Sequence, residues 1–352
     1  RPSQRGSRFH LLVRGFAMIS FKVVTAATML GMAVVPSLIP RAHAEDKVTF
    51  ALNWIPAGNH FGVFAAQDQG FYKDAGLDVD IQRGYGSGDT VKRVATGSAD
   101  FGIGDAASVV VGRSNGLAVK QVATIFDKAA DAIFFVEGNG IAKPADLQGR
   151  TMGATAGETT ATLFPRFAAN AGIDPAKVTI LNLSPSAKYA SLVSKSVDSI
   201  VGFVNEEPVI AQAAEKTGMK INKFTFADYG IDYYSIGIIV GDQTIATKPD
   251  LVKRFVEATM KGYAWTIQHP DTAAAGFTKH FPESNGALAL QQWYVAKDLI
   301  LTDRTRSHGL GWISPEKMQE TLDLTRSIST VAGNVRIDDI YTDALLTKVA
   351  VP

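Results

Sequence analysis

Val48-Thr-Phe-Ala-Leu-Asn-Trp-Ile-Pro-Ala-Gly-Asn-His-Phe-Gly-Val-Phe-Ala-Ala-Gln-Asp-Gln-Gly-Phe-Tyr-Lys-Asp-Ala-Gly-Leu-Asp-Val-Asp80 is the stretch on which the fold turns. Val48, Phe50 and Leu52 alternate with polar or small neighbours, the period of a strand. After His60 the period changes: Val63, Phe64, Ala66 and Gln67 form a helical stripe with Phe71, and Gly70 ends the helix before a second strand at Leu77. Asn53, Trp54, Asn59 and His60 therefore stand at the carboxyl end of the first strand and in the turn after it. Open α/β sheets bind ligands at that end. Trp54 is either a ligand contact or a core aromatic, and His60 either a pocket residue or a solvated helix start, since pockets are mostly apolar with few polar groups.

Upstream, the chain opens on Arg1 and a basic segment (Arg5, Arg8, Arg14), and Met18-Ile-Ser-Phe-Lys22 then leads into an apolar run from Val23 to Ile39. Read from Met18, the pattern is a lysine-bearing n-region, an apolar h-region interrupted by Gly31 and Pro36, and Arg41-Ala-His-Ala44, whose small residues fit an Ala-x-Ala cleavage site. The mature chain is expected to begin at Glu45. Pro36 and Pro40 break the run short of the roughly 20 apolar residues a spanning helix needs, so an exported soluble protein is predicted. Acidic and basic residues nearly cancel, at a formal net charge of +1 over 352 residues, which leaves no electrostatic footprint for nucleic acid. Cysteine is absent, and that removes disulfides, thiolate catalysis and cysteine-ligated metal together. His60, His269, His280 and His308 show no ligand spacing, so neither a metal nor a cofactor is predicted.

Downstream, Leu77 to Gln82 leads to Gly84-Tyr-Gly-Ser-Gly-Asp-Thr90 and a helix through Val91, Val94 and Ala95. The glycines run G-x-G-x-G, not G-x-G-x-x-G, so the stretch reads as a plain loop and not a dinucleotide fingerprint. Asp100-Phe-Gly-Ile103 is a short strand, and Asp105 takes a helix N-cap position, where a carboxylate accepts from free backbone N–H groups. Standing at a strand end, Asp105 is also a candidate for the cleft. Strands Lys120 to Phe126 and Ala132 to Glu137 follow. Gly138-Asn-Gly140 then breaks the pattern, which places a first crossing between lobes near Val136 to Ile141.

A second α/β series runs from Thr151 to Thr217, and the chain returns through Tyr229-Gly-Ile-Asp-Tyr-Tyr-Ser235 to a strand at Ile236 to Val240. Strands alternating with helices predict two mainly parallel sheets flanked by helices. The expected architecture is an α/β two-lobe clamshell with a two-strand hinge, in which a few connecting residues absorb closure. Residues 45–137 and 237–352 are assigned to lobe 1, 138–236 to lobe 2, and 1–44 to the upstream segment and signal peptide. From Lys248 onward the pattern is helical, with apolar periodicity in Leu251, Val252, Phe255, Val256, Met260 and Tyr263, and these helices are expected on lobe 1.

Three clusters could read a ligand. Thr155-Ala-Gly-Glu-Thr-Thr160 opens a helix, so N–H groups around Thr155, Gly157 and Thr159 could hold an anion; Glu158 in the same turn opposes this. Ser196 to Pro208 ends in Glu206 and Glu207, which either meet a ligand or enrich a helix first turn in acid. Asp232, Tyr233 and Tyr234 at the return crossing offer an aromatic surface opposite Trp54, and stacking on a ring adds about 0.5–1.5 kcal/mol beyond burial. Tyr189 is a further candidate. No arginine pair suits a bidentate grip on sulfonate or nitrate, although Arg83 and Arg93 lie near the second strand.

The opening unit, together with the closing Val335-Arg-Ile-Asp-Asp-Ile-Tyr-Thr-Asp-Ala-Leu345, resembles the periplasmic solute-binding proteins of the thiamine-precursor, taurine and nitrate group. The resemblance implies the type II periplasmic-binding-protein clamshell, a small-molecule ligand, no resident cofactor, and delivery to an ABC importer permease in the inner membrane by a periplasmic monomer. Members that handle the thiamine pyrimidine carry an aspartate and a small residue before a strand, a glycine within it and an acid just after; here these look like Asp198, Ser199, Gly202 and Glu206. A carboxylate so placed accepts from the ring and exocyclic N–H of an aminopyrimidine. A sulfonate or nitrate ligand is the alternative. A related branch makes the pyrimidine enzymatically and resembles a cytosolic protein with a cysteine-rich iron-binding motif; this chain has no such motif, and no catalysis is expected.

Overall fold

The computed structural model describes residues 45–328, 331 and 334–352; the expected signal peptide lies outside the described residues. The opening stretch folds as read. Strands β1 (Asp46–Ala51), β2 (Leu77–Gln82), β3 (Phe101–Asp105) and β4 (Val119–Thr124) alternate with helices, among them Phe61–Asp68, Ser87–Ala95 and Ala106–Ser114. Strands β5 (Asp131–Val136), β6 (Thr151–Ala154), β7 (Thr179–Asn182), β8 (Ser199–Phe203) and β9 (Ile221–Thr225) follow, and β10 (Ile236–Gly241) precedes the C-terminal helices.

Two five-stranded sheets result, in the orders β2-β1-β3-β10-β4 and β7-β6-β8-β5-β9. Each is mainly parallel with one reversed strand: β10 runs antiparallel to β3 and β4, and β5 antiparallel to β8 and β9. The reversed strand is in both sheets the first one after the chain has crossed. Strands fed by a helix run toward the cleft; a strand entered straight from the hinge runs away from it. Asp131 at the start of β5 accordingly lies beside Phe203 at the end of β8.

This pairing corrects the predicted lobe boundary. Because β5 belongs to the second sheet, the first crossing lies between Thr124 and Asp131, not near Val136 to Ile141. Gly138 and Gly140, at φ of 77° and 87°, turn the chain within the second lobe. All six residues of β5 are buried, and an apolar strand covered on both faces carries no mark of which sheet it joins. The sequence pattern also gives no sign of the short edge strand β9. The return crossing falls where expected, before Ile236. Ile125 and Phe126 N–H both donate to the Ile236 carbonyl at 2.9 Å, and Ser235 N–H donates to the Phe126 carbonyl at 3.3 Å, so the two crossings run side by side as a two-strand hinge.

The C-terminal helices cover the first lobe. On Pro249–Gln268, Phe255 meets Phe50 of β1 edge-on at 4.8 Å and stacks on Phe101 of β3 at 3.9 Å. The same helix lies so close to Phe61–Asp68 that a Cβ on Gly262 would fall 2.0 Å from the Gly62 carbonyl oxygen. Met318 and Leu322 of Pro315–Arg326 share a buried cluster with Val109 and Val110. The second lobe has its own core, in which Phe167 stacks on Phe226 at 4.7 Å.

A candidate ligand cleft between the lobes

The strands fed by helices deliver their carboxyl ends to one gap, as in other open α/β sheets. From the first lobe the gap receives the turn after β1, with Asn53, Trp54 and Asn59, and the start of helix Ser87–Ala95. From the second it receives Glu158, Thr159, Tyr189 and the residues after β8, Phe203, Asn205 and Glu206. Leu288 and Gln292 of Gly286–Ile300 close one side. The cavity measures about 210 Å³ and opens to solvent at its mouth.

The lobes touch across this gap. Gly88 N–H donates to the Gly157 carbonyl at 3.0 Å, the Ser108 and Thr159 hydroxyls are 3.0 Å apart, and Asn205 Nδ2 donates to Asn59 Oδ1 at 3.3 Å. The clamshell is therefore closed. The glycine loop read as plain is part of this contact: Gly86 takes φ of 126°, and a Cβ there would lie 2.9 Å from the Gly157 backbone.

The second lobe's wall is built around a lysine that sequence reasoning missed. Lys188, on helix Pro185–Val193, is fully buried. Its Nζ lies 2.5 Å from Glu158 Oε1 and 3.2 Å from Glu206 Oε2, and 4.6 Å from the centre of the Trp54 ring across the gap. Burial alone pulls the ammonium toward neutrality, but the two carboxylates outweigh it and hold Lys188 protonated, above its ordinary range. Burial pushes Glu158 up to about 7, against the pull of Lys188 and with a further push from Glu206. Glu158 Oε2 also accepts the Thr155 N–H at 2.8 Å, so the turn expected to catch an anion is already capped from within.

Glu206 accepts the Phe203 N–H at 2.9 Å and the Tyr189 hydroxyl at 2.6 Å. Burial first, and Glu206 second, push the Tyr189 phenol well up, so it remains a donor. Trp54 Nε1 nears that hydroxyl without reaching hydrogen-bond geometry, and both it and Asn205 Oδ1 are buried without a protein partner. Buried polar groups rarely stay unpaired; these two belong to residues that line the cleft.

Of the predicted site residues, the structure brings Asn53, Trp54, Thr159, Tyr189 and Glu206 to the cleft and the others elsewhere. His60 is buried behind the wall: its Nδ1 accepts from Ala57 N–H at 3.2 Å, so Nε2 carries the hydrogen donated to Asn53 Oδ1 at 3.0 Å. Burial lowers its pKa to about 3, and it acts as a neutral prop for Asn53. Thr155 and Gly157 line an outer groove beside Ile180 and Asn182, Gly157 also meeting Gly88 where the lobes touch. Asp232 is drawn to Lys317, at 2.8 Å, on the far side of the hinge. Tyr234 is fully buried and accepts the Ser314 N–H at 2.8 Å. Neither hinge tyrosine offers a ring to a solute.

Asp105 caps helix Ala106–Ser114 through the Ala107 N–H, at 2.9 Å, as predicted. It is also half of a buried pair across the hinge. The Tyr233 hydroxyl lies 2.5 Å from Asp131 Oδ2 and 3.2 Å from Asp105 Oδ2. A hydroxyl has one hydrogen, so the longer contact closes as a hydrogen bond when Asp105 holds a proton and donates back. Burial, reinforced by the charge of Asp131, pushes Asp105 well up, and burial raises Asp131 to about 6.

Besides Lys188, the missed residues are Asn205 and Gln292 as wall groups; Asn59, placed by the sequence in the turn after the first strand, does line the cleft. Gln292 Oε1 accepts the Gly58 N–H at 3.2 Å, a contact between remote segments that leaves no local pattern. Among the described residues, no group of three or more histidines and acids is placed to hold a metal, and no helix is long and apolar enough to cross a membrane.

Comparison with known proteins agrees with this architecture. The chain is similar to the riboflavin-binding protein RibY of Chloroflexus aurantiacus, 27% identical over 330 residues and covering 91% of this chain and 92% of that one. It is similar to a formylaminopyrimidine-binding protein of Halalkalibacterium halodurans, 26% identical over 313 residues, 87% and 93% covered. A 4-amino-5-hydroxymethyl-2-methylpyrimidine phosphate synthase of Legionella pneumophila is 27% identical over 232 residues, 65% of this chain and 72% of the synthase. In three dimensions the alkanesulfonate-binding protein SsuA of Xanthomonas axonopodis pv. citri superposes with a TM-score of 0.65 at 12% identity, covering 87% of this chain and 100% of that one. That likeness establishes the periplasmic-binding-protein fold. The model of the family described as NMT1/THI5 like matches residues 57–273, most of the folded chain, and the protein belongs to that family.

Proposed function

We propose that the protein is an exported solute-binding protein that closes on a small planar nitrogen heterocycle, of aminopyrimidine or flavin type, and delivers it to an ABC importer. The observation that carries this reading is Glu206. It is an acceptor at the end of β8, held by Tyr189 and the Phe203 N–H, in a closed cleft whose other wall is the Trp54 ring. Such a carboxylate takes N–H donors from a ring edge in charge-assisted hydrogen bonds of roughly twice neutral strength, and aromatic walls cover the ring faces. The names of the riboflavin-binding and formylaminopyrimidine-binding relatives point to the same ligand chemistry.

Sulfonate or nitrate capture fits less well. Among the described residues no arginine lines the cleft, and the helix turn suited to an anion is capped by Glu158. Synthesis of the pyrimidine fits less well too, because the chain has no cysteine and His60 is sealed behind the wall.

The test is a thermal-shift panel on the chain from Glu45, refolded to remove carried-over solute. The panel contains 4-amino-5-hydroxymethyl-2-methylpyrimidine, thiamine, riboflavin, taurine, an alkanesulfonate and nitrate. A solute at 100 times its Kd adds about 2.7 kcal/mol. A shift with the aminopyrimidine or riboflavin that is lost in Glu206→Gln is the expected result. A shift with taurine, alkanesulfonate or nitrate alone overturns the reading.

A further inference from the structure

Lys188 is a cation that the cleft supplies to itself. An ammonium with no exposed surface is tolerated only when it is fully paired, and the partners of this one are Glu158 at 2.5 Å, Glu206 at 3.2 Å and the faces of Trp54 at 4.6 Å and Tyr189 at 5.6 Å. All four of these residues also line the cleft. Two carboxylates and two aromatic rings form the kind of cage that captures cationic ligands. Here the cage is filled from behind, by the side chain adjacent in sequence to Tyr189.

We propose that Lys188 determines the specificity of the site: by occupying the cation position it reserves Glu206 for uncharged N–H donors and excludes permanently cationic solutes. This rests on the heterocycle reading above. A neutral ring uses the lone pair of Glu206 Oε1 that Lys188, Tyr189 and the Phe203 N–H leave free. A cation gains less from two carboxylates that already share one ammonium, and it brings its charge close to that buried ammonium, where the low dielectric leaves like charges poorly screened. Discrimination of this kind works by penalising the wrong ligand.

A matched pair of probes tests it: 4-amino-5-hydroxymethyl-2-methylpyrimidine, and thiamine, which joins a similar ring to a permanently charged thiazolium. Calorimetric Kd values are measured in mildly alkaline buffer, where the free pyrimidine is uncharged, on the wild type, Lys188→Arg, Lys188→Met and the double variant Lys188→Met/Glu158→Gln. The double variant removes one carboxylate with its cation, and it covers the case in which Lys188→Met alone fails to fold. Expected is a wild-type preference for the free pyrimidine that persists in Lys188→Arg and falls in both Met variants by on the order of 10- to 100-fold, the range for a hydrogen bond to a charged group. An unchanged preference in the Met variants overturns the proposal. If the wild type binds neither probe, the aminopyrimidine form of the reading fails and the riboflavin arm of the panel decides the flavin form; a gain of thiamine binding in the Met variants would then still support the role of Lys188, and its absence would sink that as well.

Discussion

Gly88→Ala separates folding from closure because it acts on them with opposite sign. Gly88 is in the first turn of helix Ser87–Ala95 and has no left-handed backbone to lose. Within the first lobe alanine is therefore the better residue, by up to about 1 kcal/mol. Across the gap the added Cβ would stand 3.2 Å from the Gly157 carbonyl oxygen and 3.3 Å from its Cα. That is tight enough that the second lobe must retreat by a few tenths of an ångström, which stretches the 3.0 Å bond from Gly88 N–H to the Gly157 carbonyl. The net worth of such a bond is about 0.5–1.5 kcal/mol, so ligand affinity should weaken by roughly 2- to 10-fold. The variant should melt slightly higher than wild type without solute and bind its solute more weakly, read by calorimetry and denaturant unfolding on the same preparations. A higher melting point with unchanged Kd would show that the Gly88–Gly157 contact plays no part in the ligand-bound form, and the closure argument would fall.

Two buried groups predict pH dependence in opposite directions. Asp131 titrates higher folded than its ordinary 3.8, at about 6, so the native state holds the proton longer. The stabilisation is complete below about pH 4 and is lost as pH rises through 6; the stability of wild type minus that of Asp131→Asn should fall by up to about 1.4 kcal/mol per pH unit across that window. A flat difference would refute the buried pair. His60 is depressed from 6.5 to about 3, so its contribution is present above 6.5 and lost as pH falls. His60→Ala should cost about 2–5 kcal/mol at neutral pH, from the unpaired Ala57 N–H, the lost partner of Asn53 and the cavity. That cost should shrink on acidification below pH 6.5, and a pH-independent cost in denaturant unfolding would show that His60 is not held neutral.

Much of the fold is legible because its rules are local. The alternation of Val48 and Phe50 and the cap at Asp105 depend on neighbours a few residues away, and both appear where expected; the helix Phe61–Asp68 also forms, but it is buried all round from Phe61 to Ala66 and leaves Gln67 exposed, so the expected stripe is absent. The first crossing was misplaced because β5 is buried throughout and looks the same whichever sheet receives it. The cleft is harder to read for a related reason. Trp54 and Glu206 are foreseeable as residues at strand ends and Tyr189 as an aromatic one turn into its helix, but Tyr233 and Tyr234 carry the same aromatic signal and are swallowed by the hinge. Lys188 shows the limit most clearly. A lysine on a helix of small and apolar residues reads as a solvated tip, and its burial is decided by Glu158, thirty residues earlier, and by Trp54 on the other lobe. Local preference and tertiary placement disagree at this residue, and functional sites are where such disagreement is expected. Three of its four partners, Glu158, Glu206 and Tyr189, stand on its own lobe, and Trp54 alone comes from the other. Opening the cleft would take the Trp54 ring from the ammonium and leave both carboxylates in place, so the charge that sets the ligand preference belongs to the second lobe and closure adds to it only an aromatic face.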